Sequence, residues 1–137
     1  MQVIKDVAAW RELRESLPRG KTLGFVPTMG ALHQGHVSLM QRSRAENDFT
    51  SASVFVNPTQ FNDPRDLEDY PRTFAADAAK AEAAGADYLL TPDYAALYPD
   101  GYRYRVDELE LSRALCGASR PGHFEGGKRY SELLSNM

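Results

Sequence analysis

The chain is nearly without cysteine. Cys116 is the single thiol among 137 residues, so an internal disulfide framework is excluded and a reducing cytosol suits the protein. A lone thiol of this kind is read as packed or idle. Long apolar runs are missing too: none approaches the ~20 residues that span a bilayer. The start, Met1-Gln2-Val3-Ile4-Lys5-Asp6, lacks the basic head and apolar centre of a signal peptide. A cytoplasmic protein with no membrane partner is expected. Excess positive charge is absent, because 16 Lys and Arg stand against 19 Asp and Glu and the basic residues are scattered. That balance argues against a nucleic-acid partner. There is no internal repeat, heptad seam or low-complexity segment.

What is present is an ordinary globular composition, 42% hydrophobic and 26% charged, enough for one core, so residues 1–137 read as a single domain. Asp6 caps a first helix whose apolar face carries Val7, Trp10, Leu13 and Leu17, and Pro18-Arg19-Gly20 ends it. Residues 22–26 are apolar without alternation and predict an interior strand covered on both faces. A helix follows to about residue 46, then a β-branched and aromatic strand over residues 49–56 that stops at Asn57-Pro58. Residues 62–73 read as a loop with a short helical turn. Thr73 is expected to cap an alanine-rich helix closed by Gly85, and residues 87–91 form the next strand. Strands alternating with helices through short connections predict an α/β fold, a Rossmann-like doubly wound parallel sheet with helices on both faces. Further on, residues 94–98 suggest one helical turn, 102–106 an edge strand and 109–115 a helix. Residues 117–127 are too rich in glycine for a regular element, and Tyr130, Leu133, Leu134 and Met137 mark the apolar face of a final helix.

The chain is organised around Pro27-Thr28-Met29-Gly30-Ala31-Leu32-His33-Gln34-Gly35-His36, a glycine-bearing turn between strand and helix. Such a turn presents backbone N–H groups and the positive end of a helix dipole, a ready site for phosphate or carboxylate. His33 and His36 share one face of its first turn, and Gly35 has no side chain to keep a flat ligand away. The pair is not spaced for zinc, which prefers i, i+4 helical ligands and a third protein ligand, so no metal site is assigned. Histidines here can donate hydrogen bonds to phosphate oxygens, or can simply be surface or cap residues. In an open parallel sheet, ligands bind at the carboxyl ends of the strands, so Asn57, Thr59 and Gln60 are expected near the turn after Val26. The neutral amides of Asn57 and Gln60 suit a hydroxyl or a carboxylate. Arg120 and His123 lie in a loop suited to anion contact.

The run from Val26 to His36 resembles the signature of pantothenate synthetases, the pantoate–β-alanine ligases of the His-x-Gly-His nucleotidylyltransferase superfamily. Three collinear blocks agree: Val54-Phe55-Val56-Asn57-Pro58-Thr59-Gln60-Phe61, Asp66-Leu67-Glu68-Asp69-Tyr70-Pro71-Arg72-Thr73, and Gly117-Ala118-Ser119-Arg120-Pro121-Gly122-His123-Phe124-Glu125-Gly126. The resemblance implies ATP-dependent condensation of pantoate with β-alanine through a pantoyl adenylate, with magnesium. It implies that Pro27, Met29, His33, Gly35 and His36 serve ATP, with His33 and His36 as the catalytic pair. Asn57, Gln60 and Met29 would hold pantoate, and Tyr70, Arg120 and His123 would wall the pocket against water. A homodimer is implied as well. Family members run to roughly twice this length, and their remaining half carries a Gly-Glu-Lys-Asp and a Ser-Ser-Arg-Asn segment that also hold ATP. After Gly126 the family's valine-rich helix is replaced by Gly127-Lys128-Arg129-Tyr130-Ser131-Glu132, so the chain is expected to be a truncated N-terminal portion, inactive alone. Two other readings stand beside this one. They are a non-catalytic pantoate- or ATP-binding or scaffold fragment, and a nucleotidylyltransferase with another acceptor.

Overall fold

The computed structural model describes residues 1–101, 103, 110, 116–120, 123–125, 127, 128 and 131. They form two compact units. The first comprises Met1–Phe55 and Pro71–Asp93, the second Val56–Tyr70 and the part from Tyr94 onward.

The first unit is a parallel sheet of four strands: β1 (Gln2–Ile4), β2 (Leu23–Thr28), β3 (Phe49–Val54) and β4 (Tyr88–Leu90), in the order β1-β4-β3-β2. Three helices accompany it: α1 (Val7–Ser16), α2 (Gln34–Glu46) and α4 (Phe74–Ala83). Asp6 caps α1 by accepting from the Ala9 N–H at 2.9 Å, and the Leu17 N–H closes it on the Arg14 carbonyl. Gly85, at φ +90°, turns the chain after α4 in the left-handed conformation that glycine tolerates.

The register aligns Val26 with Ala52, and Ala52 with Leu89. These three join Leu32, Met40, Ala81, Ala84 and Ala86 in one buried cluster, so α2 and α4 cover that face. Neighbouring residues of a strand point to opposite faces, and Tyr88 meets the buried Trp10 edge-on at 6.0 Å, so α1 covers the other. Helices on both faces of a parallel sheet are the α/β Rossmann-like arrangement that the alternation of elements predicted. Alanine dominates the seam under α4, and small side chains let a helix approach a sheet closely. Leu89 at its centre is fully buried, a contribution of about 2 kcal/mol.

Two local expectations are corrected, and one strand adds to them. Strand β2, expected to be interior, lies at the sheet edge among the described residues, and its Leu23, Gly24 and Phe25 are only half-buried. A short apolar run cannot by itself separate an edge from the centre. Thr73 sits at the start of α4 without a side-chain cap, because its hydroxyl donates to Asp77 instead. Strand β1 carried too little pattern in three residues to be recognised, and it exists by pairing with β4.

The second unit contains a 3-10 turn, Pro58–Gln60, and three short helices: α3 (Pro64–Glu68), α5 (Tyr94–Leu97) and α6 (Cys116–Ser119). The helical turns expected within residues 62–73 and 94–98 are present. Helix α6 begins the stretch read as irregular, since a single turn tolerates Gly117 at a cost of about 1 kcal/mol. The edge strand expected over 102–106, the helix over 109–115 and the final helix bearing Tyr130, Leu133, Leu134 and Met137 fall outside the described residues, isolated positions apart. Among the described residues no helix is long and apolar enough to cross a membrane.

Candidate functional site

The turn after β2 is shaped from within the first unit. Thr28 is buried and donates its hydroxyl to the Ser53 carbonyl at 2.6 Å, while the same oxygen accepts from the Gly30 N–H at 3.1 Å. Gly30 then takes φ +87° and Ala31 φ +51°. A side chain at Gly30 would crowd an Asp77 oxygen at 3.1 Å and Val54 at 3.2 Å, so both the conformation and the space call for glycine. Two left-handed residues in succession aim the next N–H groups inward. They meet Asp77, whose carboxylate accepts from Ala31 at 2.9 Å and from Leu32 at 2.7 Å, with the Thr73 hydroxyl at 3.0 Å. Asp77 is 1% exposed. The Lys80 ammonium, one turn further along α4, donates to the Leu32 carbonyl.

Asp77 and Lys80 therefore clamp the turn, and sequence reasoning assigned neither. A signal was available. Asp77 lies four and seven residues before the buried Ala81 and Ala84, so the apolar stripe of α4 carries a carboxylate at one position. A buried charge survives there because it accepts several hydrogen bonds.

His33 and His36 cap α2 reciprocally. The Nδ1 of His33 accepts from the Gly35 N–H at 3.1 Å, and the Nδ1 of His36 accepts from the His33 N–H at 3.3 Å. Their ring centroids are 4.1 Å apart. A side chain at Gly35 would stand 2.9 Å from the His33 ring. The missing side chain at Gly35 thus makes room for the His33 imidazole. Two helix-start N–H groups are satisfied internally, and a neutral ring accepting at Nδ1 carries its proton on Nε2. Each ring offers one further donor. His33 is exposed, His36 and Met29 are half-buried, and Pro27 is exposed.

His36 titrates below the usual histidine range because burial disfavours its charged form, His33 adds to the effect, and Asp77 opposes it. The unfolded chain therefore binds more protons just below neutrality, and stability rises with pH there. Acidification through the ordinary histidine range toward the lower folded value removes that contribution, since a protonated Nδ1 cannot accept from His33. Replacing His36 with asparagine is expected to flatten the fall in unfolding free energy between pH 7.5 and pH 5.5, as measured by urea denaturation. An unchanged slope would contradict this.

In the second unit, Asn57 is fully buried and binds within its own loop: Oδ1 accepts from the Thr59 N–H and hydroxyl, and Nδ2 donates to Gln60 Oε1 at 3.1 Å. The His123 Nδ1 lies 2.9 Å from the Gln60 carbonyl oxygen, and the His123 N–H bonds the Arg120 carbonyl. The structure thus brings Asn57, Gln60 and His123 together, with Arg120 exposed beside them in sequence. Tyr70 meets Phe61 edge-on at 5.4 Å and is half-buried. Tyr98, which sequence reasoning treated only as the end of a helical turn, donates its hydroxyl to Asn57 Oδ1 at 3.2 Å. Among the described residues no group of three His, Cys, Asp or Glu side chains could hold a metal ion.

The comparisons with known proteins agree with one another. The family model described as pantoate-beta-alanine ligase matches residues 2–129. A pantothenate synthetase of Bdellovibrio bacteriovorus is 53% identical over 121 residues, covering 88% of this chain and 46% of the relative. The chain superposes on a pantoate-beta-alanine ligase from Francisella tularensis, solved with beta-gamma ATP and beta-alanine, with a TM-score of 0.92 at 40% identity, over 99% of this chain and 52% of that one. Against a pantothenate synthetase of Thermus thermophilus the TM-score is 0.83 at 44% identity, over 98% of this chain and 49% of that one. The chain spans about half the length of the curated relatives it matches. From the match over residues 2–129, the chain belongs to the pantoate-beta-alanine ligase family.

Proposed function

We propose that this chain supplies the N-terminal half of a site that condenses pantoate with β-alanine at the expense of ATP. A pantoate carboxylate oxygen attacks the α-phosphorus, and the bond to the leaving pyrophosphate breaks. The β-alanine amine then attacks the acyl carbon of the pantoyl adenylate, loses a proton, and AMP leaves with the former carboxylate oxygen. The observation that carries this reading is the paired imidazole cap. With both Nδ1 atoms consumed by helix-start N–H groups, His33 and His36 have only Nε2–H left to donate, which suits phosphate oxygens as charge builds on them. Pro27, Met29 and Gly35 complete the nucleotide side in this reading. Gln60 and Asn57 serve pantoate, and Tyr70, Arg120 and His123 keep water from the acyl adenylate.

Magnesium would come with the nucleotide phosphates. The described residues do not themselves compose a metal site, and no step is assigned to a metal held by this part of the chain. A homodimer belongs to the same reading.

Substituting Gln60 with alanine tests the assignment. Calorimetry is expected to show pantoate affinity reduced by roughly tenfold, the value of a hydrogen bond to a charged group, with ATP affinity unchanged. Equal losses for both ligands would count against a separate hydroxy-acid side.

A further inference from the structure

The two ends of a glutamine carboxamide have nearly the same shape and opposite hydrogen-bonding character, so something must decide which end faces a ligand. In the second unit the decision can be followed outward from a buried tyrosine. Helix α5 delivers Tyr98: its N–H bonds the Tyr94 carbonyl at 2.9 Å, its carbonyl accepts from Gly101 at 3.0 Å, and the residue is 2% exposed. Its hydroxyl donates to Asn57 Oδ1 at 3.2 Å. That oxygen also receives the Thr59 N–H at 3.2 Å and the Thr59 hydroxyl at 2.9 Å. The Thr59 N–H can only donate, so the atom facing it is the oxygen, and the two hydroxyls, which can act either way, add their donated bonds to it and hold the amide in that orientation. The Asn57 Nδ2 is thereby committed toward Gln60, where it meets Oε1 at 3.1 Å. Gln60 accordingly holds its oxygen against Asn57 and has Nε2 at its other end. Gly127 leaves space beside that nitrogen, where a side-chain carbon would stand only 3.1 Å away.

We infer that Tyr98 is a positioning residue which, through Asn57, orients the Gln60 carboxamide so that its NH2 end is the one offered to ligand. The consequence is a specificity rule. The group bound at Gln60 must be a hydrogen-bond acceptor, such as a carboxylate oxygen or the lone pair of a hydroxyl, and a bare donor such as an ammonium is rejected. Asn57, with no exposed surface, acts on the ligand through Gln60. This inference rests on the reading of Gln60 as a pantoate ligand.

The test uses the full 137-residue chain carrying Tyr98→Phe, and separately Thr59→Val, which removes another donor to Asn57 without touching the tyrosine. Each is expected to weaken pantoate binding roughly fivefold, the value of one net hydrogen bond, to leave ATP binding unchanged, and to shift the side-chain NH2 resonances of Gln60 in the ligand-free chain. A purely structural role would lower the melting temperature without moving those resonances or separating the two ligands. If both variants bind pantoate like wild type while Gln60→Ala does not, the orienting role of Tyr98 is overturned and the assignment of Gln60 stands. If the unmodified chain binds no pantoate, or Gln60→Ala binds it normally, the ligand reading itself fails and the inference falls with it.

Discussion

Replacing Asp77 with alanine is expected to lower the unfolding free energy by about 3 kcal/mol and to loosen the turn that leads into the histidines. The reason is the number of groups the carboxylate serves. Ala31 and Leu32 donate their backbone N–H groups to it and Thr73 donates its hydroxyl, all toward a side chain that is 1% exposed. Leu32 is itself buried, so its N–H would have no route to water and would bear the desolvation penalty of an unmade hydrogen bond.

The isosteric change to asparagine should rescue little. An amide offers one oxygen, and its NH2 would face one of the two backbone donors. Urea denaturation gives the free energy, and the amide resonances of Ala31 and Leu32 report the turn. If Asp77→Ala unfolds at the wild-type midpoint with those resonances unmoved, the clamp is not what holds the turn. Because the same turn ends at His33, the variant should also weaken ATP binding, whereas substitution of the exposed Glu82 on the same helix, which pairs with the N-terminal ammonium at 2.9 Å, should leave it intact.

A larger effect is expected in turnover. The 137-residue chain, mixed with ATP, magnesium, pantoate and β-alanine, should form no detectable pantothenate. It spans about half of its curated relatives, and the family resemblance puts a further lysine and arginine for the ATP phosphates in the other half. Preorganised contacts to developing charge are worth ~3–4 kcal/mol each, so two of them correspond to about five orders of magnitude in rate. A coupled assay for AMP release, with mass detection of pantothenate, decides the matter. Turnover near that of a full-length relative would show that His33, His36 and Gln60 suffice, and the proposed division of the site would be wrong.

Local signals in the sequence carried much of this protein. Asp6 before a three-and-four spaced stripe announced α1, and the β-branched run before Asn57 announced β3. The glycine-bearing turn with His33 and His36 declared itself as the centre of interest. These are readable because their causes lie within one turn of helix or a few residues of strand: a cap bonds three residues ahead, and an apolar face repeats at a fixed period. The family signature could be recognised on the same stretches.

The tertiary structure decided what no nearby residue could. Strand β1 forms because Gln2–Ile4 finds β4 more than eighty residues away, and β2 lies at an edge because of which strands pair. Asp77 reads as one more polar residue of an alanine-rich helix until packing carries it to the N–H groups of Ala31 and Leu32, more than forty positions earlier. Tyr98 reads as the end of a helical turn until its hydroxyl meets Asn57, forty-one positions earlier. Histidine identity and spacing named His33 and His36 from the sequence, but which nitrogen each commits to the helix depends on the backbone N–H groups that close on Nδ1. Residue types and local periods are written along the chain. Hydrogen bonds between distant segments are not, because they depend on which surfaces must be buried together and on which polar groups that burial leaves in need of a partner.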